Sequence, residues 1–188
     1  SAGIPPEGTW ALSRISVSCF SPPAGYLVGK VPTAALSGAS VTLASYSHAI
    51  ENAAGSHGGA FYAHSDATLR LSNVTVRNNS AVGSGGGLYV ENALAIVENR
   101  SAVSSNHAAH GAGVALSGGA ARVEIRDTVT LELNIADADG GGCYAEAGAT
   151  LSLSGTPLVA RCRARGNGGG ICADGASVVL QGDTAVRL

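Results

Sequence analysis

Carboxylates, imidazoles and thiols are the groups in this chain with the most chemistry, and their spacing decides what they can do. Asp137 and Asp139 are the one close carboxylate pair in a predicted bend. Hydrolysis of a polysaccharide needs such a pair at a defined separation, and lysis needs several acids around calcium with a basic residue to take the proton. Asp66, Asp127, Asp174 and Asp183 are scattered at turns, where Asp serves the backbone, and no repeated position holds acids on neighbouring units. Asp137 and Asp139 therefore read as solvated turn residues, and the chain as non-catalytic. His107 and His110 are spaced for a weak transition-metal site but read as solvated loop residues; His57 lies in a bend like theirs, and His48 and His64 near strand ends. No metal and no cofactor is expected.

Cys19, Cys143, Cys162 and Cys172 lack C-x-x-C spacing, and no His pair stands in zinc register with them. Disulfides in an oxidising compartment are the better reading. A bridge from Cys162 to Cys172 would close a glycine-rich bend, leaving Cys143 unpaired or joined to Cys19. Tyr62, Tyr89 and Tyr144 each follow the apolar residue that ends a glycine cluster, so they share one outward column. Such a column either contacts sugar rings or a neighbouring chain, or packs half-buried rings across units. Asn73, Asn78 and Asn99 head N-x-Ser/Thr triplets and are candidate glycan acceptors in a eukaryotic secretory setting. Asn73 and Asn99 stand at exposed turns, while Asn78 adjoins an internal column.

These residues are positioned by a repeat. Five glycine clusters each precede an apolar residue, namely Phe61, Leu88, Val114, Cys143 and Ile171, at steps of 27, 26, 29 and 28 residues. Eight or nine residues before these stand Asn52, Asn79, Asn106, Asn134 and Cys162, and two residues after each of those an alanine: Ala54, Ala81, Ala108, Ala136 and Ala164. The other half of each unit alternates as a strand with one buried face: Val41-x-Leu43, Leu69-x-Leu71, Ala95-x-Val97, Val123-x-Ile125, Leu151-x-Leu153 and Val178-x-Leu180. Two residues on come the turn formers Ser45, Asn73, Asn99, Asp127, Gly155 and Gly182. Apolar residues then resume, as in Val74-x-Val76, Val129-x-Leu131-x-Leu133 and Leu158-Val159.

One unit is thus strand, turn, strand, Asn, glycine bend, strand, and nothing in it has helical periodicity. Short strands recurring in one direction pair with the next unit rather than within their own. The fold this predicts is all-β, a right-handed parallel β-helix (β-solenoid) of about six rungs of ~27 residues. Asn52, Asn79, Asn106 and Asn134 become a structural ladder, joined rung to rung through their amides. An antiparallel sandwich would not hold the Asn, Ala and Gly columns in register. Residues 1–40 fit the pattern poorly, with Pro5, Pro6, Pro22, Pro23 and Pro32 interrupting Trp10-Ala11-Leu12, Ile15-Ser16-Val17 and Tyr26-Leu27-Val28. They read as an irregular capping rung, and 41–188 as the regular repeats of the same domain.

The units resemble the repeats of the polymorphic outer-membrane protein family, whose autotransporter passengers carry FxxN and GGA-Ile/Leu/Val motifs. Gly58-Gly59-Ala60-Phe61 is the nearest match to the second motif. The first stands with its aromatic replaced, as Val76-x-x-Asn79, Val103-x-x-Asn106, Leu131-x-x-Asn134 and Val159-x-x-Cys162. The resemblance covers about residues 41–188 and implies a β-helix in the pectin-lyase-like superfamily, with a role in adhesion or surface display.

Composition agrees with stacked thin layers: 27 Gly, two Phe, one Trp and no Met. Charged residues are 13%, the net charge is −2 and Lys30 is the only lysine, which leaves no basic surface for nucleic acid. No apolar run reaches the roughly 18 residues of a membrane span, and no signal-peptide pattern opens the chain. The function expected is a non-catalytic extracellular or cell-surface structural protein, an adhesin section or filament subunit; a carbohydrate-binding or polysaccharide-cleaving domain is the alternative. Ice binding ranks last, because the threonines share no column. The final strand carries no polar cap, so the C-terminal end is expected to dock on further rungs or on another copy, and glycans are the other candidate partner.

Overall fold

The computed structural model describes residues 11–12, 26–28, 34–44 and 46–187. It is a parallel β-solenoid in which each complete rung contributes one strand to each of four sheets. The first sheet stacks Ala34–Ser37, Phe61–His64, Leu88–Glu91, Val114–Ser117, Cys143–Glu146 and Ile171–Asp174, with Ala11–Leu12 paired to its N-terminal edge. The second stacks Ser40–Leu43, Thr68–Ser72, Leu94–Glu98, Arg122–Ile125, Thr150–Leu153 and Ser177–Leu180. The third runs from Tyr26–Val28 and His48–Ile50 through Thr75–Arg77, Ala102–Ser104, Thr130–Glu132 and Leu158–Ala160 to Ala185–Arg187. The fourth consists of two-residue strands, Ala53–Ala54, Ser80–Ala81, His107–Ala108, Ile135–Ala136 and Arg163–Ala164. Every pairing is parallel, and no helix occurs among the described residues.

The registers are those the alternation predicts. Val41, Leu69, Ala95, Val123, Leu151 and Val178 align across the second sheet. Facing them from the first sheet are Phe61, Leu88, Val114 and Cys143, and from the third Val76, Val103, Leu131 and Val159. All belong to one core running the length of the stack. The alanines Ala54, Ala81, Ala108 and Ala136 form a separate buried cluster with Ala112, beneath the fourth sheet.

The glycine clusters do two jobs. Gly85 has φ +71°, and a Cβ on it would lie 2.3 Å from the Leu88 carbonyl oxygen. Gly86 carries no such dihedral, but a Cβ there would lie 2.5 Å from the His107 carbonyl oxygen on the next rung. The first glycine turns the chain and the second lets two rungs touch.

The turn column after the second sheet is also present: Asn73, Asn99, Asp127, Gly155 and Gly182 all have positive φ, and Tyr46 fills the role in the first of these rungs. Trp10, Ile15–Val17, the prolines at 5, 6, 22, 23 and 32, Cys19 and Ser45 lie outside the described residues.

Candidate functional site

The Asn column is an internal hydrogen-bond ladder. Asn52, Asn79, Asn106 and Asn134 are all buried. The Asn79 Oδ1 accepts from both the backbone N–H (3.0 Å) and the Nδ2 (2.8 Å) of Asn52. Asn106 Oδ1 does the same for Asn79, and Asn134 Oδ1 for Asn106, all at 3.0 Å. The second Nδ2 hydrogen turns back to the preceding rung: Asn79 donates to the Ala49 carbonyl at 3.0 Å, Asn106 to Val76 at 3.2 Å and Asn134 to Val103 at 2.9 Å. That carbonyl belongs to the residue three before the preceding ladder position, which is the physical content of the three-residue motif spacing. The amides all point the same way and polarise one another. Cys162 ends the column as a weak substitute, 3.7 Å from Asn134 Nδ2, its thiol directed to the Ala160 carbonyl at 3.3 Å.

The residue before each ladder position lies in the left-handed region, which types as different as Glu51, Asn78, Ser105, Leu133 and Arg161 conceal in the sequence. The sequence pattern also assigned Leu133 to the inward alternation of Val129 and Leu131. It instead sits at φ +57° with its side chain in solvent. Left-handed backbone at a residue with a Cβ costs on the order of 1 kcal/mol, and the ladder amide bound next to it holds it there.

The bridge expected between Cys162 and Cys172 is not formed, and Cys143, Cys162 and Cys172 are free thiols. Cys162 faces the lumen, whereas Cys172 is the register partner of Tyr144 on the outer face of the first sheet. The two thiols are on opposite sides of the wall. Burial pushes the Cys143 and Cys162 thiols up from their usual range. The suggested partner of Cys143, Cys19, lies outside the described residues.

Tyr62, Tyr89 and Tyr144 share one outward column with Ala115, as their spacing indicates. They are packed rather than splayed. Tyr62 and Tyr89 have ring centroids 5.3 Å apart, His57 stacks on Tyr89 at 4.6 Å, and His110 covers Tyr144 at 4.9 Å. The Tyr62 hydroxyl donates to the Glu91 carboxylate, and the Tyr144 hydroxyl to Glu146 at 3.3 Å. Burial first and these carboxylates second raise all three phenols, Tyr144 up to about 12. Beside this column the register places Glu146 opposite Asp174. Acids therefore do stand on adjacent rungs, contrary to the sequence reading, each three residues after the apolar residue of its glycine cluster.

Asp137 and Asp139 do not act as a pair. Asp137 meets His107 at 3.2 Å and Arg165 at 3.5 Å, while Asp139 lies 3.6 Å from His110 Nδ1. Each is tied to a different histidine of the preceding rung. The sequence reading had these histidines as plain loop residues, yet the positions before the positive-φ glycines, His57, Ser84, His110, Asp139 and Asn167, form a polar column. The Ser84 N–H donates to His57 Nδ1 at 3.0 Å, and the Asn167 N–H to Asp139 Oδ1 at 2.6 Å. Among the described residues no group of three or more His, Cys, Asp or Glu is placed to hold a metal ion.

Of the candidate glycan acceptors, Asn78 and Asn99 are exposed and Asn73 is half-buried. Asn99 Nδ2 donates to Ser72 Oγ at 2.6 Å, and the hydroxyl that completes its triplet, on Ser101, is buried and donates to the Glu98 carbonyl at 2.8 Å.

Residues 73–91 match the Chlamydia polymorphic membrane protein repeat. The matched stretch runs from the Asn73 turn through the ladder position Asn79 and the glycine bend to Glu91, close to two thirds of one rung. No curated protein and no solved structure matches the chain.

Proposed function

We propose that this chain is a non-catalytic structural or adhesive solenoid of the cell surface, a rigid section of a longer surface protein or a filament subunit. The observation that carries the reading is that the segment matching a membrane-protein repeat lies within one rung of a continuous stack whose other rungs repeat its geometry. Repetition of this kind makes a stiff body with a long side surface, which suits display and contact. The inward positions are uniform and the outward ones differ from rung to rung, so recognition would belong to the outer faces.

Antibodies raised against the 188-residue chain should label intact, unpermeabilised source cells, and beads coated with it should be retained on a cell or matrix surface. Labelling that requires permeabilisation overturns the surface reading. Release of unsaturated or reducing ends from a polysaccharide panel, abolished by Glu146→Gln or Asp174→Asn, would replace it with the polysaccharide-cleaving alternative.

A further inference from the structure

The bend between the third and fourth sheets is concave on its outside, and over three rungs it forms a groove of ≈ 620 Å³, within the roughly 300–1,000 Å³ of ordinary ligand sites. Its floor is aliphatic. Leu133 and Ile135 are 46% and 48% exposed there, and Ser105 and His107 continue the wall on the preceding rung. Its rim is cationic, carrying Arg161 and Arg163. Arg161 is 69% exposed and reaches Glu132 at 3.3 Å; Arg163 has no carboxylate partner among the described residues.

Leu133 breaks two rules at once. It holds left-handed backbone and it exposes a branched apolar side chain, although Asn78 and Ser105 fill the same column position with residues suited to both conditions. Every other member of the column, Glu51, Asn78, Ser105 and Arg161, is polar, so Leu133 is the one apolar side chain that this backbone puts into solvent, and it does so in a groove beside the exposed Ile135, as a contact surface rather than folding would require.

We infer that this groove binds an acidic peptide segment in which a carboxylate adjoins an apolar side chain. The apolar side chain lies on Leu133 and Ile135, and the carboxylate pairs with the unpartnered guanidinium of Arg163, a geometry in which two N–H groups meet two oxygens. A neutral apolar partner would cover Arg163 without compensation. No tyrosine, phenylalanine or tryptophan lines the groove for a sugar ring to stack on. The backbone N–H groups of Leu133, Ile135, Arg161 and Arg163 already donate to Ala160, Asn106, Arg187 and Asn134, so side chains rather than strand addition hold the partner. The inference stands on this geometry and does not depend on where the solenoid is displayed.

Calorimetric titration of the 188-residue chain with a blocked peptide of alternating Asp and Leu tests it. Saturable binding is expected, weakened about tenfold or more by Arg163→Glu, equivalent to about 1.4 kcal/mol, and weakened similarly by Leu133→Asn. The second variant separates binding from folding: Asn is at home in left-handed backbone, so its melting temperature should equal or exceed that of the parent while binding falls. Absence of parent binding, unchanged binding in both variants, or equal binding of a Lys/Leu peptide overturns the proposal. So does tighter binding of an oligogalacturonate, which would make the ligand a glycan.

Discussion

Two bends of the same rung solve one problem in opposite ways. Where the third sheet meets the fourth, the N–H groups of Asn52, Asn79 and Asn106 are satisfied by the side-chain oxygen of the next rung. Where the fourth sheet returns to the first, the N–H groups of Gly58, Gly85, Gly111 and Gly140 reach main-chain carbonyls of Ser84, His110, Asp139 and Asn167. The first bend takes an amide at four of its five rungs, with Cys162 at the fifth, because only an amide presents an oxygen and two N–H hydrogens to satisfy three neighbours. The glycine N–H groups of the second need nothing from side chains, and only at two rungs does the residue before the glycine draw on a side chain, His57 for Ser84 and Asp139 for Asn167, so His57, Ser84, His110, Asp139 and Asn167 can share one column. Identity along a column therefore records side-chain dependence of the backbone, and variety records main-chain self-sufficiency.

The comparison is broken most severely at the glycines of the second bend. Gly86→Ala forces a Cβ against backbone oxygens of His107 and Ala112, at 2.5 and 2.7 Å, and neither can retreat without parting the rungs. Destabilisation of about 3 kcal/mol or more is expected, in the range of severe overpacking. Gly119→Ala is the control, since its Cβ would meet nothing within 4 Å. Equal denaturant midpoints for the two variants would show that rung contact at Gly86 is not tight.

At the first bend, Asn106→Ala leaves the Asn79 N–H and the Val76 carbonyl without their ladder partner in a buried setting. Each stranded group costs about 1–3 kcal/mol, so the expected loss for the two is about 2–6 kcal/mol. Asn167→Ala, at an exposed position of the mixed column, should cost under about 0.5 kcal/mol, as for ordinary surface changes. Similar losses at both positions in urea melts would erase the distinction between the bends.

This distinction also sorts what was legible in the sequence. The Asn ladder, the six apolar pairs of the second sheet and the tyrosine column were legible because identical physical demands recur at nearly constant spacing. The left-handed column from Glu51 to Arg161 was not, since its geometry is imposed by the adjacent ladder amide and leaves residue type free. Strands of two residues, such as Ser80–Ala81, are too short for alternation to show. Leu133 misled because the motif implies an apolar run up to the Asn, and Cys172 because proximity in sequence carried no information about which side of the wall it faces.

The ladder can be sharpened at its weak end. Cys162 gives Asn134 only a distant sulfur, at 3.7 Å, where every other rung gives an amide oxygen near 3.0 Å. Cys162→Asn supplies that oxygen, and its Nδ2 inherits the Leu131 carbonyl that the thiol now faces at 3.6 Å. A gain of about 0.5–1.5 kcal/mol is expected, that of one ordinary hydrogen bond. A lower denaturant midpoint would show that the site is shaped for sulfur.

The smallest expected effect lies on the outer face and appears only in base. An unfolded tyrosine loses its proton near 10.0, whereas folded Tyr144 keeps it up to about 12. Between those values the unfolded chain binds fewer protons than the folded one, so stability falls as pH rises. The contribution is complete below about pH 10 and gone above about pH 12. Tyr62 and Tyr89 act in the same direction, since burial and Glu91 raise both. The buried Cys143 and Cys162 thiols add to the loss from a lower starting pH, because unfolded thiols ionise near 9.0. The ladder amides do not titrate and add no slope. Urea midpoints followed from neutral pH into base should therefore fall for the parent, fall equally steeply for Asn106→Ala from a lower start, and fall less steeply for Tyr144→Phe. A Tyr144→Phe variant with the parent's slope would mean that the phenol is solvated in the folded chain, and that the His110 ring does not shield it.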